Sequence, residues 1–504
     1  MRKEGNPMTT RPDWRSLDKD LARLNQVERV TGYVVRPLLG LGLALAFMAL
    51  AGLEAALVLG TSPTTIMAMV AAVFGAYLAL NIGANDVANN MGPAVGAKAL
   101  PMTAALIAAA LAEVTGALLG GSEVVATVSR RLIDPSAVSA PQIMVQAMMS
   151  AMIASALWVN LATWLGAPVS TTQSIIGAIL GATTAAAGFA AVDWLTFGGI
   201  ATSWMLSPLI GAALAMALLA LIQRLISNRP DKMAAARRWV PVLLAGMGGA
   251  FAVFFALKLP ERIASPTPDQ AALAGLIAGA LSYLVARPVV LHRAAQLEHQ
   301  KGAIKALFRL PLVIAAVLMS FAHGANDVAN AIGPLATIMQ VMTNSGGGTH
   351  PAEINAFAPI PVPLWVLVIG ALGMAMGVLL FGPRLVNMVG SQITKLNPIR
   401  AYCVSTSAAL TVIVASWLGM PVSSTHVAVG AVFGVGFYRE HMAARARRIG
   451  ARAARPGLPR EDRSRRRLVR RSHVLTILAA WLITVPLSAA LSAGIYTLLH
   501  LLGR

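Results

Sequence analysis

Two short polar blocks each occur twice in a chain otherwise dominated by apolar side chains. Residues 83 to 94 read GANDVANNMGPA and residues 324 to 335 read GANDVANAIGPL, identical at 9 of 12 positions. The first copy offers Asn85, Asp86 and Asn89, and the second offers Asn326, Asp327 and Asn330. Spacings of three and four residues put such side chains on one helical face. Hard oxygen ligands of this kind suit a small cation such as Na⁺, or the carboxylates can take and release a proton. The plainer reading is interhelical glue, with small residues for close approach and Asn for hydrogen bonds. It explains the Gly, Ala and Asn, but not a carboxylate at the same place in both copies.

The second pair is residues 164 to 181, WLGAPVSTTQSIIGAILG, and 417 to 434, WLGMPVSSTHVAVGAVFG, identical at 10 of 18 positions. A proline, a Ser/Thr cluster and a Gly-spaced apolar run spell a helix start with capping residues. Free backbone N–H groups, hydroxyls and the positive end of the helix dipole converge there, which makes an anion site. Ser170, Thr171 and Thr172 supply one terminus; Ser423, Ser424 and Thr425 supply the other. Either alone is an ordinary cap, but two facing termini would surround a tetrahedral oxyanion with donors while the motif carboxylates sit nearby. Glu113 is a further carboxylate in an apolar run, either a coupling group or a hydrogen-bonded bundle residue. Glu54 reads as structural, and His323 and His426, which flank the motifs, read as packing residues rather than proton relays.

The elements that position these groups are membrane helices. The 504 residues are 57% hydrophobic and only 12% charged, with a mean hydropathy of +0.70, whereas a soluble domain carries about 25% charged residues. The apolar runs do not alternate, so a barrel is excluded in favour of an all-α integral membrane protein, a polytopic helical bundle. One cysteine, Cys403, forms no intramolecular disulfide, and zinc spacings are absent; no cofactor is expected. Runs near the roughly 20-residue spanning length fall at 37–60, 64–90, 103–120, 141–165, 168–190, 194–223, 239–257, 270–287, 307–340, 363–382, 398–418, 421–438 and 473–500, for 12 to 13 spans.

A cytoplasmic N-terminus puts 35 of the 40 Lys+Arg on the inside and satisfies the positive-inside rule. Arg130 and Arg131 are the misfits. The stretch 439–472 carries 13 Arg and reads as a topology anchor in contact with lipid head groups. It lacks the interleaved aromatics of a nucleic-acid site, so the net charge of +20 implies no nucleic-acid partner. Residues 1–36 are a cytoplasmic arm and 37–60 an extra span. The composition, rich in Ala, Arg, Gly and Leu, and the lack of targeting signals suggest a bacterial plasma (inner) membrane.

The motifs recur in the same order, so the chain is a duplicated unit: 64–223, a two-span connector at 224–306, then 307–500. Five spans plus two is odd, which predicts two inverted-topology repeats. In secondary transporters so built, broken helices meet at the midplane around the substrate. The internal motifs are where such breaks are expected.

At these residues the chain resembles the inorganic phosphate transporter (PiT) family, marked by GANDVAN in both halves with P-V-S-x-T after each copy. The resemblance spans residues 64 to 500. It implies symport of inorganic phosphate with a cation, H⁺ or Na⁺. Substrate and cation sites would be built from Asn85, Asp86, Asn89, Ser170, Thr171, Thr172, Asn326, Asp327, Asn330, Ser423, Ser424 and Thr425. Glu113 matches a family glutamate ahead of a Gly-rich run. The extra span departs from smaller members, some relatives carry sulfate, and a homodimer is a candidate assembly. A passive anion channel would need no duplicated carboxylates, and a hydrolase would need a nucleophile–base pair that no G-x-S-x-G motif announces; the chain reads as a transporter and not an enzyme.

Overall fold

A computed structural model describes residues 38–61, 65–121, 124–125, 127, 132–133, 140–167, 169–258, 266–297, 300, 302–346, 362–392, 396–453 and 471–502. The N-terminal arm, Arg130, Arg131, Pro168 and residues 454–470 of the Arg-rich stretch lie outside them. The chain divides into two units, 1–46 and 47–504. The second holds every candidate site residue.

The long helices are α1 (Leu38–Leu59), α2 (Thr65–Gly96), α3 (Met102–Gly120), α4 (Pro141–Leu165), α5 (Thr171–Ala187), α6 (Trp194–Ile222), α7 (Lys232–Leu257), α8 (Pro268–Leu297), α9 (Arg309–Gly346), α10 (Leu364–Gln392), α11 (Pro398–Trp417), α12 (Ser424–Ala453) and α13 (Arg471–Leu502). Among the described residues the only β feature is an isolated bridge between Ile133 and Val192.

Eleven helices among the described residues are long and apolar enough to cross a membrane. The two apolar runs outside that set are those that begin at the Ser/Thr clusters. α5 has 17 residues, short of the roughly 20 a crossing needs. α12 runs on into the charged stretch, so the first part of the expected loop 439–472 is helical to Ala453. Gly166 ends α4 in the left-handed region at φ 73°, and Gly419 follows α11 at φ 66°. A residue without Cβ adopts this conformation freely. The chain then turns back: Val169 and Ser170, like Val422 and Ser423, are buried before α5 and α12 start. Each half therefore contains a helical hairpin whose tip lies inside the bundle.

The breaks expected at the GANDVAN motifs are not there. α2 and α9 run as continuous helices through both copies. Gly83 is needed for close approach instead, because a methyl group there would collide with the Met374 carbonyl of α10, and one at Gly324 would collide with the Glu113 carbonyl of α3. Pro93 and Pro334 sit inside the same helices. Lacking an N–H, they deprive the carbonyls of Asn89 and Asn330 of their intrahelical donors.

Packing repeats with exchanged partners. Leu80 and Gly83 of α2 meet Gly377 and Met374 of α10, while Phe321 and Gly324 of α9 meet Gly116 and Glu113 of α3. Gly177 and Gly181 of α5 meet Val485 and Ala489 of α13; Gly430 and Gly434 of α12 meet Pro208 and Ala212 of α6. Each half thus packs its motif helices against the other half, with glycine seams that bring backbones together as small residues do in membrane bundles. Outward faces, such as Leu273, Leu276 and Leu284 of α8, are exposed and apolar.

Candidate functional site

The two motif helices and the two hairpin tips converge on one buried polar cluster. Asp86, Asp327, Asn326 and Asn330 have no exposed surface, and Asn89 is 5% exposed. An uncompensated carboxylate at such depth is expensive, and the cluster supplies donors. Thr171 donates to Asp86 Oδ2 at 2.6 Å, and Ser424 donates to Asp327 Oδ2 at 2.9 Å. The motif amides add to this: Asn89 Nδ2 lies 3.3 Å from Asp86 Oδ1, and Asn330 Nδ2 lies 3.1 Å from Asp327 Oδ1. These are the three-residue spacings of the sequence acting on one helix face.

Among the bonds that cross between the halves, four form two matched pairs. Asn89 donates to Thr425 at 2.8 Å and Asn330 donates to Thr172 at 3.0 Å. The Thr172 hydroxyl reaches the Val422 carbonyl at 3.2 Å, and the Thr425 hydroxyl lies 3.3 Å from the Val169 carbonyl. Each contact has its counterpart with the halves exchanged. Tip therefore meets tip, and each tip meets the other half's motif.

Not every expected residue joins the cluster in the same way. Ser170 and Ser423 act as N-caps, accepting from the backbone N–H of Gln173 at 3.1 Å and of His426 at 3.2 Å. Asn85 donates away from the carboxylates to Thr163 at 3.0 Å. Its counterpart Asn326 donates to Asp327 at 2.8 Å and to the Val422 carbonyl at 3.1 Å, and it accepts from Ser416. Glu113 lies one step out, holding the Asn90 amide at 2.9 Å. Glu54 is partly buried on α1.

His323 departs from the expectation of a packing residue. It is fully buried, with Nε2 2.9 Å from Asp327 and 3.5 Å from Asp86, and Nδ1 3.2 Å from Glu113. It contacts three carboxylates, where a packing residue was expected. His426 does pack, its ring centroid 3.7 Å from that of Trp481. Asn90 was also missed, although its signal was visible: GANDVANN and GANDVANA differ at that position.

Ligand atoms of Asp86, His323 and Asp327 lie within 4.8 Å of one another, a spacing that could hold a metal ion. The Oδ1 atoms of Asn85 and Asn330 are buried without a hydrogen-bond partner. The Asn330 oxygen, a hard and unclaimed ligand on an amide that holds Asp327, fits a cation such as Na⁺, and the hydroxyls and helix N-termini fit an anion.

The comparisons with known proteins agree with this chemistry. The model of the phosphate transporter family matches residues 82–492. A Helicobacter pylori (strain J99) protein named "Putative phosphate permease" is 38% identical, covering 95% of this chain and 98% of its own. "Inorganic phosphate transporter 2-1, chloroplastic" of Arabidopsis thaliana is 32% identical over 86% of this chain and 72% of its own. A solved structure titled "The sodium-dependent phosphate transporter" superposes with a TM-score of 0.74 at 31% identity, covering 86% of this chain and 99% of that one. On the family match and these relatives together, the chain is a multi-pass membrane protein that belongs to the phosphate transporter family.

Proposed function

We propose that the protein carries inorganic phosphate across the plasma membrane by symport with a small cation, Na⁺ or H⁺, and that access alternates around the cluster of Asp86 and Asp327. The observation that carries this reading is the exchange-symmetric set of bonds between the tips and the motifs. Thr171, Thr172, Ser424 and Thr425 present donors from two helix N-termini, and these donors now rest on carboxylates and carbonyls. An oxyanion entering between the tips takes over those hydroxyls, and Asp86 and Asp327 are left to accept a proton-bearing phosphate oxygen or to hold a cation. Because the Thr172 and Thr425 bonds tie one half to the other, exchanging them for bonds to substrate frees the halves to move.

The same symmetry supports inverted repeats. α2 runs parallel to α10, since Leu80 pairs with Gly377 and Val87 with Gly382. α9 runs parallel to α3, since Phe321 pairs with Gly116 and Ala325 with Gly120. A short connection joins α2 to α3, so α9 enters opposite to α2. Counting each hairpin as two half-crossings keeps the number of crossings between equivalent helices odd, as an inverted repeat requires. The N-terminus is cytoplasmic by the distribution of Lys and Arg.

Linkage gives the test. If cation and phosphate bind together, each raises the other's affinity by the same factor. Equilibrium binding of radiolabelled phosphate to the purified protein, with Na⁺ varied at fixed pH and pH varied without Na⁺, should tighten with one of the two cations. Phosphate affinity that ignores both contradicts symport.

A further inference from the structure

The duplicated site is not fully symmetric, and one departure is a change of side-chain chemistry at three buried positions. Pairing the two motifs sets Gly83 against Gly324, and therefore Ile82 against His323 and Asn90 against Ala331. Gly83 abuts Met374 as Gly324 abuts Glu113, so Met374 and Glu113 are counterparts. On one side of the site the three positions hold Asn90, Glu113 and His323; on the other they hold Ala331, Met374 and Ile82. All six have no exposed surface. The polar set is in contact with itself, through Asn90 to Glu113 at 2.9 Å and His323 to Glu113 at 3.2 Å.

Two oxygen atoms of this set are left without a hydrogen-bond partner: Oε2 of Glu113 and Oδ1 of Asn90. A buried carboxylate oxygen with no donor carries a desolvation cost that an apolar side chain avoids, and the other half uses apolar residues at these positions. Both unclaimed atoms are hard oxygens, and the bond from Asn90 Nδ2 to Glu113 Oε1 holds the amide beside the carboxylate.

We infer that Asn90, Glu113 and His323 form a single-copy subsite for one small monovalent cation, additional to the duplicated Asn/Asp positions. The inference rests on the symport reading and deepens it by placing one coupling cation. Glu113 Oε2 and Asn90 Oδ1 are the ligand atoms. His323 is a positioning residue: Nδ1 faces Glu113 Oε1 at 3.2 Å, while Nε2 faces Asp327 at 2.9 Å and Asp86 at 3.5 Å. Occupancy at Glu113 is thereby passed to both duplicated carboxylates through one ring.

The other half supplies the test, because it packs the same positions with apolar residues. The triple variant N90A/E113M/H323I makes the two sides alike. Reconstituted in liposomes, wild type and variant are compared in two assays with radiolabelled phosphate. One is uptake driven by an imposed Na⁺ or H⁺ gradient, whichever drives the wild type; the other is phosphate self-exchange without a gradient. Driven uptake should fall roughly tenfold or more beyond any fall in exchange, the scale of an ordinary coupling energy. Driven uptake and cation dependence like those of the wild type overturn the inference. If both activities vanish together, Asn90→Ala alone decides. A raised half-saturating cation concentration, with phosphate half-saturation at saturating cation like that of the wild type, supports the subsite; no cation shift, or a phosphate shift that saturating cation does not reverse, overturns it. A wild type with no driven uptake would instead sink the symport reading itself.

Discussion

The hydroxyl of Thr425 lies 3.1 Å from Asp86 Oδ1, a contact between residues 339 positions apart in the chain. It joins the tip of the second hairpin to the motif of the first half. The same hydroxyl accepts from Asn89, so one side chain links helix N-terminus, carboxylate and amide. Thr172 occupies the equivalent place, with Asn330 and the Val422 carbonyl as partners.

Thr172→Ala and Thr425→Ala should therefore each weaken apparent phosphate affinity. A hydrogen bond to a charged group contributes about 1.5 to 3 kcal/mol, so roughly tenfold or more is expected for each. Phosphate titration of uptake by each variant, at matched expression, measures it. Unchanged half-saturation in both would remove the tips from the anion site.

Selectivity follows from protonation. At neutral pH phosphate keeps at least one proton and can donate to Asp86 or Asp327, whereas sulfate can only accept. An unpaired buried group costs about 1 to 3 kcal/mol, more when it is charged, so the wild type should prefer phosphate by roughly tenfold or better. Asp86→Asn and Asp327→Asn should erode phosphate uptake more than sulfate competition. If sulfate inhibits the wild type as well as unlabelled phosphate does, the carboxylates do not set selectivity.

The glycine seams predict where bulk is forbidden. Gly324→Ala would drive a methyl into the Glu113 carbonyl and Gly83→Ala into that of Met374. Backbone yields less readily than a flexible side chain, so each should cost about 1 to 3 kcal/mol or more. Gly246→Ala, with nothing within 4 Å of the added atom, should be neutral or stabilising by up to about 1 kcal/mol. Thermal unfolding in detergent ranks the three. Equal melting temperatures would mean that the seams are not close-packed.

Asp193 caps α6, accepting from the backbone N–H groups of Leu195 and Thr196 and from the Thr196 hydroxyl. The backbone bond from Thr196, with its hydroxyl, holds the carboxyl below the usual carboxylate range. A depressed folded-state pKa contributes stability above the unfolded value, about 3.9, which is lost as pH falls through the folded one. Asp193→Ala should cost about 1 kcal/mol near neutral pH, and the gap to wild type should close in acid. A gap that persists unchanged at low pH would mean that the cap does not depend on the charge.

The sequence already held the doubled motifs, their carboxylates and the apolar helices, because period and composition are local properties. The role of His323 was not legible, since its three acidic partners come from α2, α3 and its own helix, and two of those contacts exist only once α9 packs on α3 and α2. Breaks are expected at the motifs that hold Gly83 and Gly324 for a related reason. A glycine in a helix reads alike whether it bends the chain or admits a neighbour, and only the carbonyls of Met374 and Glu113 decide between them. Ser170 and Ser423 read as substrate donors, and their oxygens also accept from the first turns of their own helices, a bond that leaves each hydroxyl proton free to donate.

The measurement closest to the central claim is radiolabelled phosphate uptake into vesicles containing the purified protein, with H⁺ and Na⁺ gradients imposed separately. The account predicts accumulation above the external concentration under one of the two gradients, collapsing when that gradient is dissipated and absent in Asp86→Asn and Asp327→Asn. Phosphate that only equilibrates, whatever the gradient, would contradict it and identify a passive pathway.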